Sequence, residues 1–409
     1  MSKASAAFQG GRGREGGVMQ AFGIVVAIVG GGVLCALAFR RAADRVRVPS
    51  PVVFLVVAAV ASDLIDPLRS ALSPHEVGWI GSAALLVILF DGGVSLGWHR
   101  VRPVVGVVAA LGVLATGVAA GVMALAAHWI VGLSWTASAV LGVALAPTDP
   151  AVVFSVVGEG AVAERPKTIL EAESGANDPI AIALMVGVIA VGTGSGAWLP
   201  TVSETLLRQL AIGLVVGVVG AWLTRSPLRH LTEPRETLQP IVALAAAGLI
   251  FGVAAAAHGS GFLAVFVAGL LLGDADAPIG EDVRAFHSEL AGLAEVVVFV
   301  ALGLTVHLSA LGVRAVVDGL ALTLVLLTVA RPPAVVALLA TFRLPARERV
   351  FVAWAGMRGA VPILLASLAL TAGIADARRV YGLVFIVVAV SVLIQGGSLT
   401  WAAARLRVR

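Results

Sequence analysis

Residues 146–150 read APTDP and residues 171–179 read EAESGANDP, and each stretch lies inside an otherwise apolar run. Carboxylates are costly inside a bilayer and mark ion or proton pathways when they occur there. A proline within a helix removes one amide donor and leaves the carbonyl four residues earlier without its partner. Such broken helices occur in membranes where the backbone lines a cavity or a binding site. The two stretches therefore predict a polar site within a membrane, rich in the oxygen ligands that a dehydrated monovalent cation needs.

The composition as a whole is that of a membrane protein. Of the 409 residues, 59% are hydrophobic and 13% are charged, and the mean hydropathy is +1.02. Several runs reach the about 20 apolar residues of a membrane-spanning helix. The isoelectric point is near 10.1, but the basic residues are scattered over short loops, so nucleic-acid binding is not indicated. We predict an all-α polytopic protein whose partner is the lipid bilayer. No cofactor is expected, and the single cysteine, Cys35, excludes an intrachain disulfide.

The hydropathy pattern predicts thirteen spans, of which the fifth and the twelfth are interrupted. They lie near 19–39, 51–68, 77–97, 103–127, 134–157, 167–192, 205–223, 238–257, 261–273, 288–308, 314–341, 347–372 and 379–404. Residues 1–18 are predicted to form a disordered tail, and residues 19–409 a single transmembrane domain. A retained first span is favoured over a cleaved signal because its run ends in Arg40 and Arg41, although Met19 is a second possible start.

The distribution of lysine and arginine predicts the orientation. Loops on the side of Arg40 and Arg41 carry 18 of the 28 basic residues, and loops on the opposite side carry 8. Basic residues in short loops are enriched on the cytoplasmic side of a membrane. The N-terminus is therefore predicted outside and the C-terminus in the cytoplasm, in a multi-pass protein of the inner (plasma) membrane.

The two interrupted spans occupy related positions in the chain. Span 12 is broken around Gly356, Gly359 and Pro362, as span 5 is broken at Pro147 and Pro150. Spans 4–6 and 11–13 are an odd number of helices apart, so any similarity between them must be inverted. Broken helices at matching places in inverted halves predict a substrate site near the bilayer midplane of a secondary transporter.

Span 6 carries a strip of polar side chains on one side of the helix. Glu173 and Asn177 are four residues apart, as are Ser174 and Asp178, so the two pairs are neighbours on the helix surface. A lone intramembrane aspartate is often only a hydrogen-bonded packing residue. The combination of this strip with Thr148 and Asp149 instead predicts an oxygen cage, in which one carboxylate could hold a proton or a cation in turn.

These stretches resemble a known family. TDP at 148–150 followed by ESGANDP at 173–179 is similar to the signature of monovalent cation–proton antiporters of the NhaP and sodium–proton exchanger type. Supporting matches are FDGG at 90–93, GSGFLAV at 259–265, LGL at 302–304, ARP at 330–332 and RGAVP at 358–362. The resemblance implies a homodimer of thirteen-helix subunits with inverted repeats. Two discontinuous helices would cross in a six-helix core around spans 4–6 and 11–13, and the remaining spans would serve as scaffold and dimerisation domain.

The resemblance also implies what individual residues do. Asp178 would exchange proton for cation, and the cation would be held by Asp178, Ser174 and Thr148. Further contributors to the cation and proton site would be Asp149, Asn177 and Asp91. Asn177 before Asp178, in place of a second aspartate, is the pattern of the electroneutral branch, so exchange of one Na⁺ or K⁺ for one H⁺ is implied, in the service of pH homeostasis.

Glu173 needs a partner because an unpaired buried charge is costly. Arg331 and Arg358 are the basic residues that lie well inside the predicted spans rather than near their ends. The family pattern favours Arg331 as the partner of Glu173 and places Arg358 beside the helix crossing, both in structural roles. An alternative for Arg331 is a residue at the end of a span that reaches for lipid headgroups. Glu295 is open between a polar anchor, which is preferred, and part of an entrance funnel.

Other classes of function fit less well, and no enzymatic activity is expected. An intramembrane aspartyl protease would need a Tyr-Asp pair, but the only tyrosine, Tyr381, is followed by Gly382. A cation channel would be expected to show repeated selectivity-filter segments, which the chain lacks. A non-transporting membrane sensor or subunit stays open as an alternative.

Overall fold

The computed structural model describes residues 49–69, 72–158, 162–194, 197–230, 238–274 and 280–408, with three further single glycines at Gly23, Gly30 and Gly31. The predicted tail, Cys35 and all of the predicted first span except these glycines lie outside the described residues. The count of thirteen spans therefore stays a prediction. Each predicted span from the second to the last falls on a helix or on a pair of helices.

All regular secondary structure in the described ranges is helical, which confirms the predicted fold class. The helices of eight residues or more are α1 Ser50–Leu64, α2 Pro74–Leu96, α3 Trp98–Val131, α4 Trp135–Ala144, α5 Pro150–Val157, α6 Glu164–Gly192, α7 Trp198–His230, α8 Gln239–Ala256, α9 Gly261–Leu272, α10 Glu281–Leu304, α11 Val313–Thr341, α12 Ala346–Trp354, α13 Ala360–Thr371 and α14 Ala377–Leu406. Eight helices in this part of the chain are long and apolar enough to cross a membrane.

Helix burial divides the molecule into an interior and a periphery. In the most apolar windows of α14 and α6, 67% and 61% of the residues are buried, against 22% in those of α7 and α8. Large apolar side chains of α7, such as Val215 and Trp222, are exposed, as a surface in contact with lipid tails requires. Helix α6 packs against α4, α7 and α9, and α13 and α14 both pack against α4. The polar strip of α6 therefore lies in the protein interior.

The two interrupted spans are two pairs of half-helices that cross. Helix α4 ends at Ala144 and α5 begins at Pro150, while α12 ends at Trp354 and α13 begins at Ala360. The intervening peptides touch: the amide of Asp149 donates to the carbonyl of Met357 over 2.8 Å. The predicted crossing of two discontinuous helices is thus confirmed.

The two prolines of the polar stretches act differently. Pro179 lies inside α6. The interruption predicted at Pro147 and Pro150 ends just before Pro150, which is the first residue of α5. Proline fits that position because a first-turn amide has no partner within the helix and the fixed backbone angle already suits the helix. The break itself is made by the five residues before it, 145–149.

Candidate functional site

Helix α6 presents four polar side chains to the crossing region, at the spacing that the sequence predicted. Glu173 and Asn177 are fully buried, and Ser174 and Asp178 are 6% and 5% exposed. Because α6 packs against α4 and lies close to α5 and α13, the strip faces the broken helices rather than lipid. Such burial of polar groups is tolerated only where other polar groups or ligands satisfy them.

Asn177 of α6 forms hydrogen bonds with the peptide between α4 and α5. Its Nδ2 donates to Thr148 Oγ1 over 2.9 Å, and the Thr148 amide donates to Asn177 Oδ1 over 3.5 Å. Both polar atoms of the Asn177 side chain are therefore engaged with Thr148. The contact holds the Thr148 hydroxyl against the polar strip of α6.

Asp149 lies where two helices begin. Its Oδ1 accepts from the amide of Ala151 over 2.9 Å and so caps the start of α5. The same carboxylate lies against Gly359, the residue before α13, so closely that a methyl group on Gly359 would overlap it. Helix N-termini carry partial positive charge, which favours a carboxylate at this point. Asp149 is partly exposed, unlike Asp178.

Arg358 lies where the other two half-helices end. The guanidinium is 1% exposed, its Nε donates to the carbonyl of Leu145 over 2.8 Å, and its Nη1 donates to the carbonyl of Gly356 over 2.8 Å. These carbonyls lie one and two residues past the ends of α4 and α12, whose C-terminal ends carry partial negative charge. At the crossing, the carboxylate of Asp149 therefore lies at the N-terminal ends of α5 and α13, and the guanidinium of Arg358 lies at the C-terminal ends of α4 and α12.

Glu173 and Arg331 make a buried ion pair with two parallel hydrogen bonds. The Nη1 and Nη2 atoms of Arg331 lie 2.8 and 3.1 Å from Oε1 and Oε2 of Glu173, and the side chains are 5% and 0% exposed. Gly356 makes room for this pair, because a Cβ at that position would overlap the guanidinium of Arg331. The pair joins α6 to α11 beside the crossing.

Three carboxylates keep an oxygen that is buried and has no hydrogen-bond partner in the described part of the chain. They are Asp178 Oδ1 on α6, Asp91 Oδ1 on α2 and Glu295 Oε1 on α10. Asp149 lies within electrostatic range of both Asp178 and Glu295. Whether Glu295 is a polar anchor or part of an entrance funnel stays a prediction, because an anchor can act through its second oxygen, Oε2.

Sequence reasoning missed one polar residue at the crossing. Gln395 on α14 is 3% exposed, and its Nε2 donates to the carbonyl of Trp354 at the end of α12 over 2.6 Å. The sequence feature that could have identified Gln395 is an amide side chain inside an apolar helix of 30 residues.

Gly359→Ala is expected to damage the crossing, because the added methyl group would overlap the carboxylate of Asp149. Overpacking of this kind costs about 1–3 kcal/mol. The variant should melt at a lower temperature in detergent, and any activity that depends on Asp149 should fall with it. Gly252→Ala on α8 is the control, because a Cβ there meets nothing within 4 Å. Equal melting temperatures for the two variants would show that the two peptides are not in close contact.

Fold and site together define a polytopic helical membrane protein in which two broken helices cross beside buried carboxylates. The model of the family described as "Sodium/hydrogen exchanger, transmembrane" matches residues 31–405. The chain belongs to this family.

Individual relatives agree with this assignment. The chain is 34% identical over 395 residues to the K(+)/H(+) antiporter NhaP of Alkalimonas amylolytica, covering 95% of this chain and 68% of that protein. It is 31% identical over 369 residues to the K(+)/H(+) antiporter NhaP2 of Shewanella oneidensis, covering 88% of this chain but only 63% of that one. The chain thus spans about two thirds of the length of these relatives.

A solved structure has the same fold. The sodium proton antiporter MjNhaP1 from Methanocaldococcus jannaschii at pH 8 superposes with a TM-score of 0.80, covering 95% of this chain and 99% of that chain. Sequence identity is 22%, so the likeness concerns the fold.

Proposed function

We propose that the protein is a secondary active antiporter that exchanges a monovalent cation, Na⁺ or K⁺, for H⁺ across the inner membrane. The observation that carries this proposal is the buried carboxylate of Asp178, whose Oδ1 has no partner among the described residues and lies in the core of an exchanger fold. Both substrates can bind such an oxygen, but not together. The names of the relatives include both K(+)/H(+) and Na(+)/H(+) antiporters, which supports either cation.

In the proposed mechanism Asp178 holds either the proton or the cation. A cation at Asp178 would be completed by oxygens of Ser174 and Thr148, with Asp149 as a second acidic group and Asn177 holding Thr148 in place. Protonation of the carboxylate removes the charge that attracts the cation, so each substrate displaces the other. Competition of this kind couples the two fluxes without a direct interaction between the substrates.

Asp91 and Glu295 are proposed to attract cations toward the site rather than to hold them. Each has a buried oxygen without a partner in the described ranges, and Glu295 lies within electrostatic range of Asp149. Acidic groups along a cleft raise the local concentration of cations.

Movement of the site between the two membrane faces would be a rigid-body displacement. We assign α3–α6 and α11–α14 to a moving core, because they contain both broken helices, and the remaining helices to a scaffold that forms a homodimer. In this arrangement the ion pair of Glu173 and Arg331 joins two core helices, and the crossing moves as one unit. The N-terminus is proposed outside and the C-terminus in the cytoplasm.

Proteoliposomes test this proposal directly. We expect an imposed K⁺ or Na⁺ gradient to drive a change of internal pH that persists when the membrane potential is clamped with an ionophore, since the exchange is proposed to be electroneutral. A steady current during turnover on a solid-supported membrane would contradict electroneutrality. Cation flux without any proton movement would favour a channel, and the absence of both fluxes would favour a non-transporting sensor or subunit.

A further inference from the structure

A small cavity lies beside the helix crossing, and its described lining includes no carboxylate. Its polar lining consists of Arg331 on α11, Gly356 and Arg358 on the peptide between α12 and α13, and Gln395 on α14. Ala353 of α12 forms part of its wall. The centre of a water-sized sphere can occupy about 10 Å³ of this space. About 10–15 Å³ on this measure is what a single water molecule requires.

Three polar side chains around the cavity each keep one buried atom without a hydrogen-bond partner among the described residues. These atoms are Arg331 Nε, Arg358 Nη2 and Gln395 Oε1. The three side chains are 4%, 1% and 3% exposed, so bulk water does not solvate them. Unsatisfied buried donors and acceptors are rare in native proteins because each loses its hydration without replacement.

The remaining polar atoms of these side chains are held in place. Arg331 is fixed on Glu173 by two hydrogen bonds, Arg358 on the carbonyls of Leu145 and Gly356, and Gln395 Nε2 on the carbonyl of Trp354. Rotating any of them to find a partner for the free atom would break an existing bond. The partner of the three free atoms must therefore come from outside the described residues.

The arrangement selects the chemistry of that partner. Two N–H donors and one carbonyl acceptor match a water molecule, which accepts two hydrogen bonds and donates to the third atom. A cation would be repelled by two guanidinium groups, and a halide is larger than the cavity and would face the amide oxygen of Gln395. We infer that Arg331, Arg358 and Gln395 form a binding site for one structural water molecule beside the helix crossing.

This water would add a link between α11, the peptide between α12 and α13, and α14, beside the direct hydrogen bond from Gln395 to the end of α12. Arg331 and Arg358 are close enough for their charges to repel. A shared water lets both donate to one neutral partner, so the two guanidiniums can lie side by side. Gln395 is then a positioning residue that holds both the water and the end of α12. The inference concerns hydration of the crossing and does not rest on the proposed transport activity.

The test uses two substitutions of equal shape at Ala353, which is 4% exposed. Ala353→Thr and Ala353→Val both fill the cavity and displace the water, but only threonine brings a hydroxyl that can take over its hydrogen bonds. We expect the threonine variant to melt at least about 2 °C above the valine variant in detergent. A valine variant that is equally or more stable would overturn the inference, because it would mean that the cavity is dry and apolar.

The same pair at Ala247 of α8 is the matched control. Ala247 is fully buried within an apolar cluster, so valine should be the more stable replacement there. If the Ala353 variants fail to fold, a crystallographic or electron-microscopy map of the unsubstituted protein that resolves ordered water decides the matter. A peak within hydrogen-bonding distance of all three free atoms supports the site, and a clear map without such a peak overturns it.

Discussion

Replacing Asp178 by asparagine is expected to abolish cation-driven proton movement while leaving the protein folded. The amide has nearly the same shape as the carboxyl group, and Oδ1 of Asp178 has no hydrogen-bond partner in the described chain that the change would disturb. An amide cannot cycle between a protonated and an ionised form, so neither substrate can displace the other. Internal pH in proteoliposomes after a K⁺ or Na⁺ jump measures the effect, which should be complete loss.

The control for this loss is Asp318→Asn. Asp318 is also an aspartate on a membrane-spanning helix, but it pairs with Arg379 over 3.1 Å, near the start of both α11 and α14. Exchange by that variant should stay close to that of the unsubstituted protein. Substantial exchange by Asp178→Asn would show that proton and cation compete at another group. Asp149→Asn should be severely impaired as well, although an amide oxygen at this position can still cap α5.

The sequence predicted the elements of the site better than their contacts. The prolines and glycines within two apolar runs predicted both broken helices. The spacing of four residues predicted that Glu173 and Asn177 lie on one side of α6. These features are local, because helix geometry alone relates residues one turn apart. The partner of each polar group lies far along the chain: Thr148 is 29 residues from Asn177, and Leu145 is 213 residues from Arg358. Spacing within one helix contains no information about such contacts.

Two residues show where sequence reasoning stopped. Gln395 drew no attention because a single amide in an apolar helix has no pattern around it, and its meaning comes from Trp354 and the two arginines that packing brings near. For Glu295 the sequence favoured an anchor over an entrance funnel, and in the structure one of its buried oxygens has no partner among the described residues. In both cases the deciding fact is whether a buried polar atom is satisfied, which depends on tertiary packing.

The choice between Arg331 and Arg358 as partner of Glu173 is of the same kind. Either arginine satisfies the sequence-level requirement for a base within the membrane. In the structure the guanidinium of Arg331 faces Glu173, and that of Arg358 faces backbone carbonyls. Only the first is an ion pair, so the two arginines should respond differently when Glu173 is neutralised.

Glu173→Gln and Arg331→Gln are each expected to lower the stability of the protein by about 3–5 kcal/mol, because each leaves a buried charge without its partner. The double substitution should recover part of this loss, since it removes both charges together. Thermal unfolding of the four proteins in detergent gives the interaction energy as the departure from additivity. Additive losses would mean that the two side chains do not interact energetically.

Arg358→Gln is the matched comparison for this cycle. Arg358 is as deeply buried as Arg331, but its hydrogen bonds go to Leu145 and Gly356, and neutralising Glu173 leaves both of those carbonyls in place. Combining Arg358→Gln with Glu173→Gln should therefore restore less stability than combining Arg331→Gln with Glu173→Gln. A larger recovery with Arg358 would assign Glu173 to the crossing, and Arg331 would then need a different explanation. The comparison thus separates a charge that holds α6 to α11 from a charge that holds the ends of two broken helices.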